Sequence, residues 1–87
     1  MGVTLIKQIA DRISMSETDT KQSIKDAVEV LDESTLTSKK YDSAALQSLF
    51  SYWHRYIPNA KQSIRCNGCR KTVFKFWKRV VDDWEQE

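Results

Sequence analysis

The chain has 87 residues, of which 40% are hydrophobic, and it carries a formal net charge of +2. This length predicts a single domain (residues 1–87), and the apolar content is enough for one small core, which excludes wholesale disorder. The low glycine and proline content, two and one residues, argues against a β-sandwich or a series of tight hairpins. No apolar run approaches ~20 residues, so we predict no membrane span. The start of the chain lacks the apolar core of a secretory signal.

The charges are strongly segregated along the chain. Residues 1–42 contain eight acidic and six basic side chains, residues 43–81 contain eight basic and no acidic ones, and residues 82–87 contain four acidic and no basic ones. The corresponding net charges are −2, +8 and −4. Such a distribution indicates an anionic partner, or electrostatic pairing between segments of the same chain.

The first third of the chain predicts a pair of helices. Residues 3–14 have an apolar stripe at helical spacing, formed by Leu5, Ile6, Ile9, Ala10 and Ile13. After a short break, Ser16 or Thr18 can cap a second helix over residues 17–32. This second helix is expected to bury Ile24, Ala27, Val28 and Leu31. A joint of two to three residues makes residues 1–32 an antiparallel helical hairpin.

The sequence of this hairpin resembles that of a known protein family. Residues 4–31, TLIKQIADRISMSETDTKQSIKDAVEVL, are similar to the opening helical hairpin of the HU/IHF family of DNA-architectural proteins. The shared features are the L-I-x-x-I-A pattern, a serine at the joint and the apolar spacing of the second helix. In that family the hairpin forms much of the dimerisation body, and β-arms grip the DNA minor groove. The resemblance stops after residue 33, so it implies a similar packing hairpin and carries over no DNA-contacting residue.

A polar connection over residues 32–41 leads to a third predicted helix, residues 43–57. Asp42 or Ser43 can cap its start, and Pro58 ends it. Its apolar stripe is broad and comprises Ala45, Leu46, Leu49, Phe50, Tyr52, Trp53, Tyr56 and Ile57. Residues 59–68 are polar and basic, and predict an irregular segment or one short turn.

The fourth predicted helix, residues 69–85, has two contrasting faces. One face is apolar and carries Val73, Phe74, Phe76, Trp77, Val80, Val81 and Trp84. The opposite face is basic. We therefore predict an all-α bundle of about four helices, in which residues 43–87 form an aromatic and basic helical pair.

The basic face of the fourth helix is the first candidate site. Lys71, Lys75, Lys78 and Arg79 form what we call the basic ridge. Like charges four residues apart repel each other unless an anion lies across them. Arg65 and Arg70 are expected to extend the ridge toward the helix start, where backbone N–H groups also favour phosphate. The ridge predicts backbone contact with DNA or RNA; the alternative interpretation is a solvated face that keeps the protein soluble.

The aromatic side chains are the second candidate site. Most are expected in the core, but the two apolar stripes are wide, so some rings could serve a partner interface. The side chains predicted for this interface are Phe50, Trp53, Phe74, Phe76 and Trp84. This interpretation implies self-association or assembly into a larger complex.

Cys66-x-x-Cys69 has the spacing of half a zinc site, with His54 as the only other soft ligand. A redox pair is a less favoured alternative, since no βαβ pattern surrounds the cysteines. The favoured interpretation is two half-buried thiols at a turn, so no metal or other cofactor is predicted. His54 has no serine, cysteine or carboxylate at a spacing that would form a catalytic pair, so we predict no enzyme and no small-molecule substrate.

Together these features predict a small non-enzymatic protein that binds the phosphate backbone of DNA or RNA, or an acidic protein surface, through a basic helix face. The alternative is a structural or assembly subunit, such as a virion or phage accessory protein, that acts through its aromatic interface. Either function predicts location in the cytoplasm or within a virus particle, with no membrane association.

Overall fold

A computed structural model describes residues 5–38, 40–57 and 60–86. These residues form four helices: α1 (Leu5–Ser16), α2 (Thr18–Val30), α3 (Ser43–Tyr56) and α4 (Asn67–Glu85), with a short 3₁₀ helix at Glu33–Thr35. No strand occurs in these three ranges, which confirms the predicted all-α bundle. None of the four helices is long and apolar enough to cross a membrane. Residues 3 and 4 of the first predicted helix, and Pro58, lie outside the described residues.

The joint between α1 and α2 differs from the prediction. Ser16 remains helical, and its hydroxyl donates a hydrogen bond to the carbonyl oxygen of Arg12. The residue at the cap position is Glu17, whose side chain makes no capping hydrogen bond. The prediction that Ser16 or Thr18 caps α2 was therefore wrong. The joint is shorter than expected because α1 continues through the serine.

The start of α3 is as predicted. The Asp42 carboxylate accepts a hydrogen bond from the Ala45 backbone N–H at 3.0 Å, which satisfies one of the free donors of the first turn. The start of α4 lies two residues earlier than predicted, at Asn67. Cys66 takes the cap position there, because its backbone is extended and its sulfur accepts from the Cys69 N–H at 3.3 Å.

The core lies where α4 meets the other three helices. α4 packs against α1, α2 and α3, and α2 also packs against α1 and α3. Because α4 has three neighbours, its wide apolar face is covered within the chain. The side chains that are buried with no exposed surface include Ile13, Ile24, Leu46, Leu49, Val73, Trp77 and Val80. Leu5, predicted on the apolar stripe of α1, is 48% exposed because it stands at the first turn of the helix.

The three tryptophans connect separate segments through their indole N–H groups. Trp77 donates to the carbonyl oxygen of Leu49 at 3.0 Å, and Trp84 donates to that of Ala10 at 2.8 Å. Trp53 donates to the side-chain oxygen of Gln62 at 2.8 Å. A buried indole N–H needs such a partner. Packing therefore fixes the position of each ring, and the hydrogen bond fixes its orientation.

The connection between α2 and α3 contributes to the core, which its polar composition did not predict. Asp32 accepts from the Ser34 backbone N–H at 2.9 Å and starts the 3₁₀ helix. This turn places Leu36 in the interior with no exposed surface. The segment is therefore a packed part of the bundle as well as a link.

Candidate nucleic-acid interface

The basic ridge lies on the outward face of α4. Lys75, Lys78 and Arg79 are exposed and Lys71 is half-buried, while Val73 and Trp77 on the other side of the helix are fully buried. The helix is thus held rigidly by one face and presents cations on the other. All four ridge residues belong to one element, so their spacing is fixed by the helical rise.

Lys75 has an acidic partner that comes from outside the basic segment. Its ammonium nitrogen lies 3.1 Å from a carboxylate oxygen of Glu33, and 62% of the Lys75 side chain and 48% of the Glu33 side chain are exposed. The pair borders a shallow depression of about 300 Å³ that Lys78, Arg79 and Asp82 also line. Nothing in the sequence indicated this contact, because it depends on the position of the 3₁₀ helix over α4.

The other two exposed ridge cations are not neutralised. Asp82 and Asp83 stand four residues after Lys78 and Arg79 on α4, a spacing at which helical side chains can pair. Asp83 instead lies 3.5 Å from the ammonium of Lys7 on α1. Within the described ranges, neither Lys78 nor Arg79 has a carboxylate oxygen within 4 Å. Among the described residues, Lys78 and Arg79 are therefore ridge cations that are both exposed and without a carboxylate partner.

Arg70 is not part of the exposed ridge, and its predicted place there was wrong. It is 6% exposed, and its guanidinium donates to the carbonyl oxygens of Leu36 at 2.5 Å and Ile64 at 2.7 Å. It also donates to the side-chain oxygen of Asn67, and it lies over the Tyr41 ring at 5.4 Å. Arg70 therefore holds the two connecting segments against the start of α4.

Arg65 is exposed on the segment before α4, outside the helix that carries the ridge. It lines a cavity of about 470 Å³ with Tyr41, Gln47 and Arg70 among others. The structure thus separates the predicted basic site into an exposed ridge on α4 and a second position at Arg65. The four ridge residues remain together on one helix.

The predicted aromatic interface is largely occupied inside the chain. Phe50, Trp53, Phe74 and Trp84 are all buried, with between 4% and 8% of their surface exposed. Phe76 is the exception and is half-buried, with edge-to-face contacts to Trp53 and Trp77 at centroid distances of 5.1 and 5.0 Å. The wide apolar stripe of α4 packs against three helices and that of α3 packs against α2 and α4, so the width of the stripes no longer indicates an external partner.

Among the described residues, the structure brings no further metal ligand to Cys66 and Cys69. Cys66 and Cys69 lie together at the start of α4, whereas the His54 ring nitrogen lies 3.0 Å from the carbonyl oxygen of Gln62. No group of three or more histidine, cysteine, aspartate or glutamate side chains is gathered for a metal in the part of the chain that the structure describes.

No protein-family model, curated protein or solved structure matches this chain. The resemblance of residues 4–31 to HU/IHF proteins therefore stays a prediction. The β-arms with which that family contacts DNA have no counterpart among residues 5–38, 40–57 and 60–86, which contain no strand.

Proposed function

We propose that this protein binds the phosphate backbone of nucleic acid through the basic ridge of α4, without catalysis. The supporting observation is the arrangement of α4 itself. Its inward face is anchored by fully buried Val73, Trp77 and Val80, while its outward face carries four cations at helical spacing. A rigid row of cations suits sequence-independent contact with a polyanion.

The ridge residues differ in whether a bound phosphate has to displace a carboxylate partner. No carboxylate of the described residues pairs with Lys78 or Arg79, so a phosphate can approach these two cations directly and release its condensed counterions. Lys75 must lose its ion pair with Glu33 before it can bind a phosphate. Because that ion pair is exposed, it is worth at most about 1 kcal/mol and does not prevent the exchange.

An assembly role has less support, because four of the five aromatic side chains on which it depended are buried within the chain. An acidic protein surface could contact the same ridge. A direct measurement with nucleic acid separates these partners.

The test compares two double variants of equal charge change. Lys75→Glu/Arg79→Glu alters the ridge, and Lys40→Glu/Lys61→Glu alters two exposed lysines in the connecting segments. Binding to fluorescently labelled duplex DNA and single-stranded RNA is followed by anisotropy over a range of salt concentrations. We expect the ridge variant to bind at least about tenfold more weakly and to lose about two units of salt slope, one per phosphate contact.

The control variant should retain most of the affinity, and both variants should keep the helical circular dichroism spectrum. Equal weakening in the two variants would show that only net charge matters. No binding of either nucleic acid by the unmodified protein would leave an acidic protein surface as the candidate partner.

A further inference from the structure

The cysteine pair at the start of α4 is not used by the basic ridge. Cys66 is exposed at the cap position, and Cys69, one turn later, is half-buried against the edge of the core. Both are free thiols. The positions of the two thiols, at the start of α4, indicate thiol–disulfide chemistry that does not involve the basic ridge.

The two cysteines are placed for a bond between their sulfurs. Residues three apart at the start of a helix have Cα atoms about 5 Å apart, within the range of about 4.4 to 6.8 Å that a disulfide spans. The Cys66 sulfur already points toward Cys69, since it lies 3.3 Å from the Cys69 backbone nitrogen. Closing the bond therefore requires rotation of side chains and little movement of the backbone.

We propose that Cys66 and Cys69 form a redox-active dithiol that exchanges with an external disulfide of the glutathione class. The Cys66 thiolate attacks one sulfur of the external disulfide, which forms a mixed disulfide at Cys66 and releases one thiolate. Cys69 then loses its proton to solvent and attacks the Cys66 sulfur, which releases the second thiolate. The protein loses two electrons and two protons, and the external disulfide becomes two thiols.

The two cysteines have different roles because their surroundings differ. The pKa of Cys66 is lowered, first by a hydrogen bond from the Cys69 thiol, and then by the backbone N–H groups of Cys69 and Gly68 and by the charge of Arg70. The pKa of Cys69 is raised, mainly because its thiol donates that hydrogen bond. Cys66 is therefore the attacking thiolate and Cys69 the resolving thiol.

The site is also open to a second molecule. At Gly68, between the two cysteines, no atom beyond the adjacent residues and the backbone of α4 itself lies within 4 Å of the position that a Cβ would take. Cys66, Asn67 and Gly68 are all exposed. A small disulfide can thus approach the Cys66 sulfur without displacement of a packed element.

The experiment treats the reduced protein with glutathione disulfide near neutral pH, traps remaining thiols by alkylation and measures the intact mass over time. The unmodified chain should pass through a mixed disulfide and end with the mass of two fewer hydrogens and no alkylated thiol. Cys69→Ser should stop at the mixed disulfide, because no resolving thiol remains. Cys66→Ser should form its mixed disulfide at least about tenfold more slowly than Cys69→Ser.

Serine at position 66 can still cap α4, so both single variants should fold, which circular dichroism checks. The reaction in denaturant is the second control, and there the two single variants should react at similar rates. The proposal is overturned if the unmodified chain keeps two alkylated thiols or remains as a mixed disulfide. Disulfide-linked dimers as the end product, or equal rates for the folded single variants, would also overturn it.

Discussion

The inward and outward faces of α4 differ in what their charged residues do. Arg70 and Arg79 carry the same charge on the same helix, yet Arg70 is 6% exposed and bonded to backbone oxygens, whereas Arg79 is exposed without a carboxylate partner in the described ranges. The difference follows from position around the helix axis. Arg70 lies three residues before Val73 and seven before Trp77, so it belongs to the buried face.

The largest effect on the free energy of unfolding should come from Trp77, which is fully buried on the inward face of α4. Trp77→Ala removes a fully buried ring and its hydrogen bond to Leu49, so we expect a loss of about 3 to 5 kcal/mol in the free energy of unfolding. Lys78→Ala, one residue later on the exposed face, should change it by less than about 0.5 kcal/mol. Urea denaturation measures both. Similar losses in the two variants would contradict the division into faces.

A smaller change in the free energy of unfolding should distinguish Arg70 from Arg79. Arg70→Lys keeps the charge but loses the planar fork, so at least one of the carbonyl oxygens of Leu36 and Ile64 is left without its donor. We expect a loss of about 2 to 3 kcal/mol in the free energy of unfolding. The same substitution at Arg79 is the matched control and should be nearly neutral in urea denaturation. A neutral Arg70→Lys would show that its hydrogen bonds add no stability.

The smallest effect concerns the only carboxylate seen to pair with the ridge in the described residues, Glu33. Glu33→Gln should change the free energy of unfolding by less than about 0.5 kcal/mol, because the pair with Lys75 is exposed. It should tighten binding to duplex DNA about two- to threefold, since Lys75 no longer exchanges a partner. Glu17→Gln breaks an ion pair with Arg55 of α3, outside the ridge, removes the same charge and is the control. Equal gains in both variants would mean that overall charge alone sets the affinity.

The helices could be predicted because their apolar residues recur at helical spacing over a dozen or more positions. Buried positions such as Ile13, Ile24 and Trp77 followed directly from that periodicity. The same spacing places Arg70 on the buried face, three residues before Val73, although arginine side chains are ordinarily exposed. The prediction that Arg70 extends the basic ridge was therefore at odds with the helical periodicity.

Other features had no signal in the sequence. Leu36 stands alone in a polar segment, so no periodic pattern marked it as buried. The Glu33–Lys75 pair joins residues far apart in the chain, and its formation depends on how the 3₁₀ helix packs over α4. Local patterns fix which face of a helix is apolar, but they do not fix which segment covers the other face.

The hydrogen bond from Trp84 to the Ala10 carbonyl joins positions 74 residues apart and lies where α1 packs against α4. Bringing such distant positions together has an entropic cost that contacts between neighbouring helices do not bear to the same extent. We therefore expect α1 to dock late in folding, after α2, α3 and α4 have formed most of the core. The contact between α1 and α4 should also be the first to open when the native state fluctuates. Hydrogen exchange at the backbone amides of α1 would report that opening.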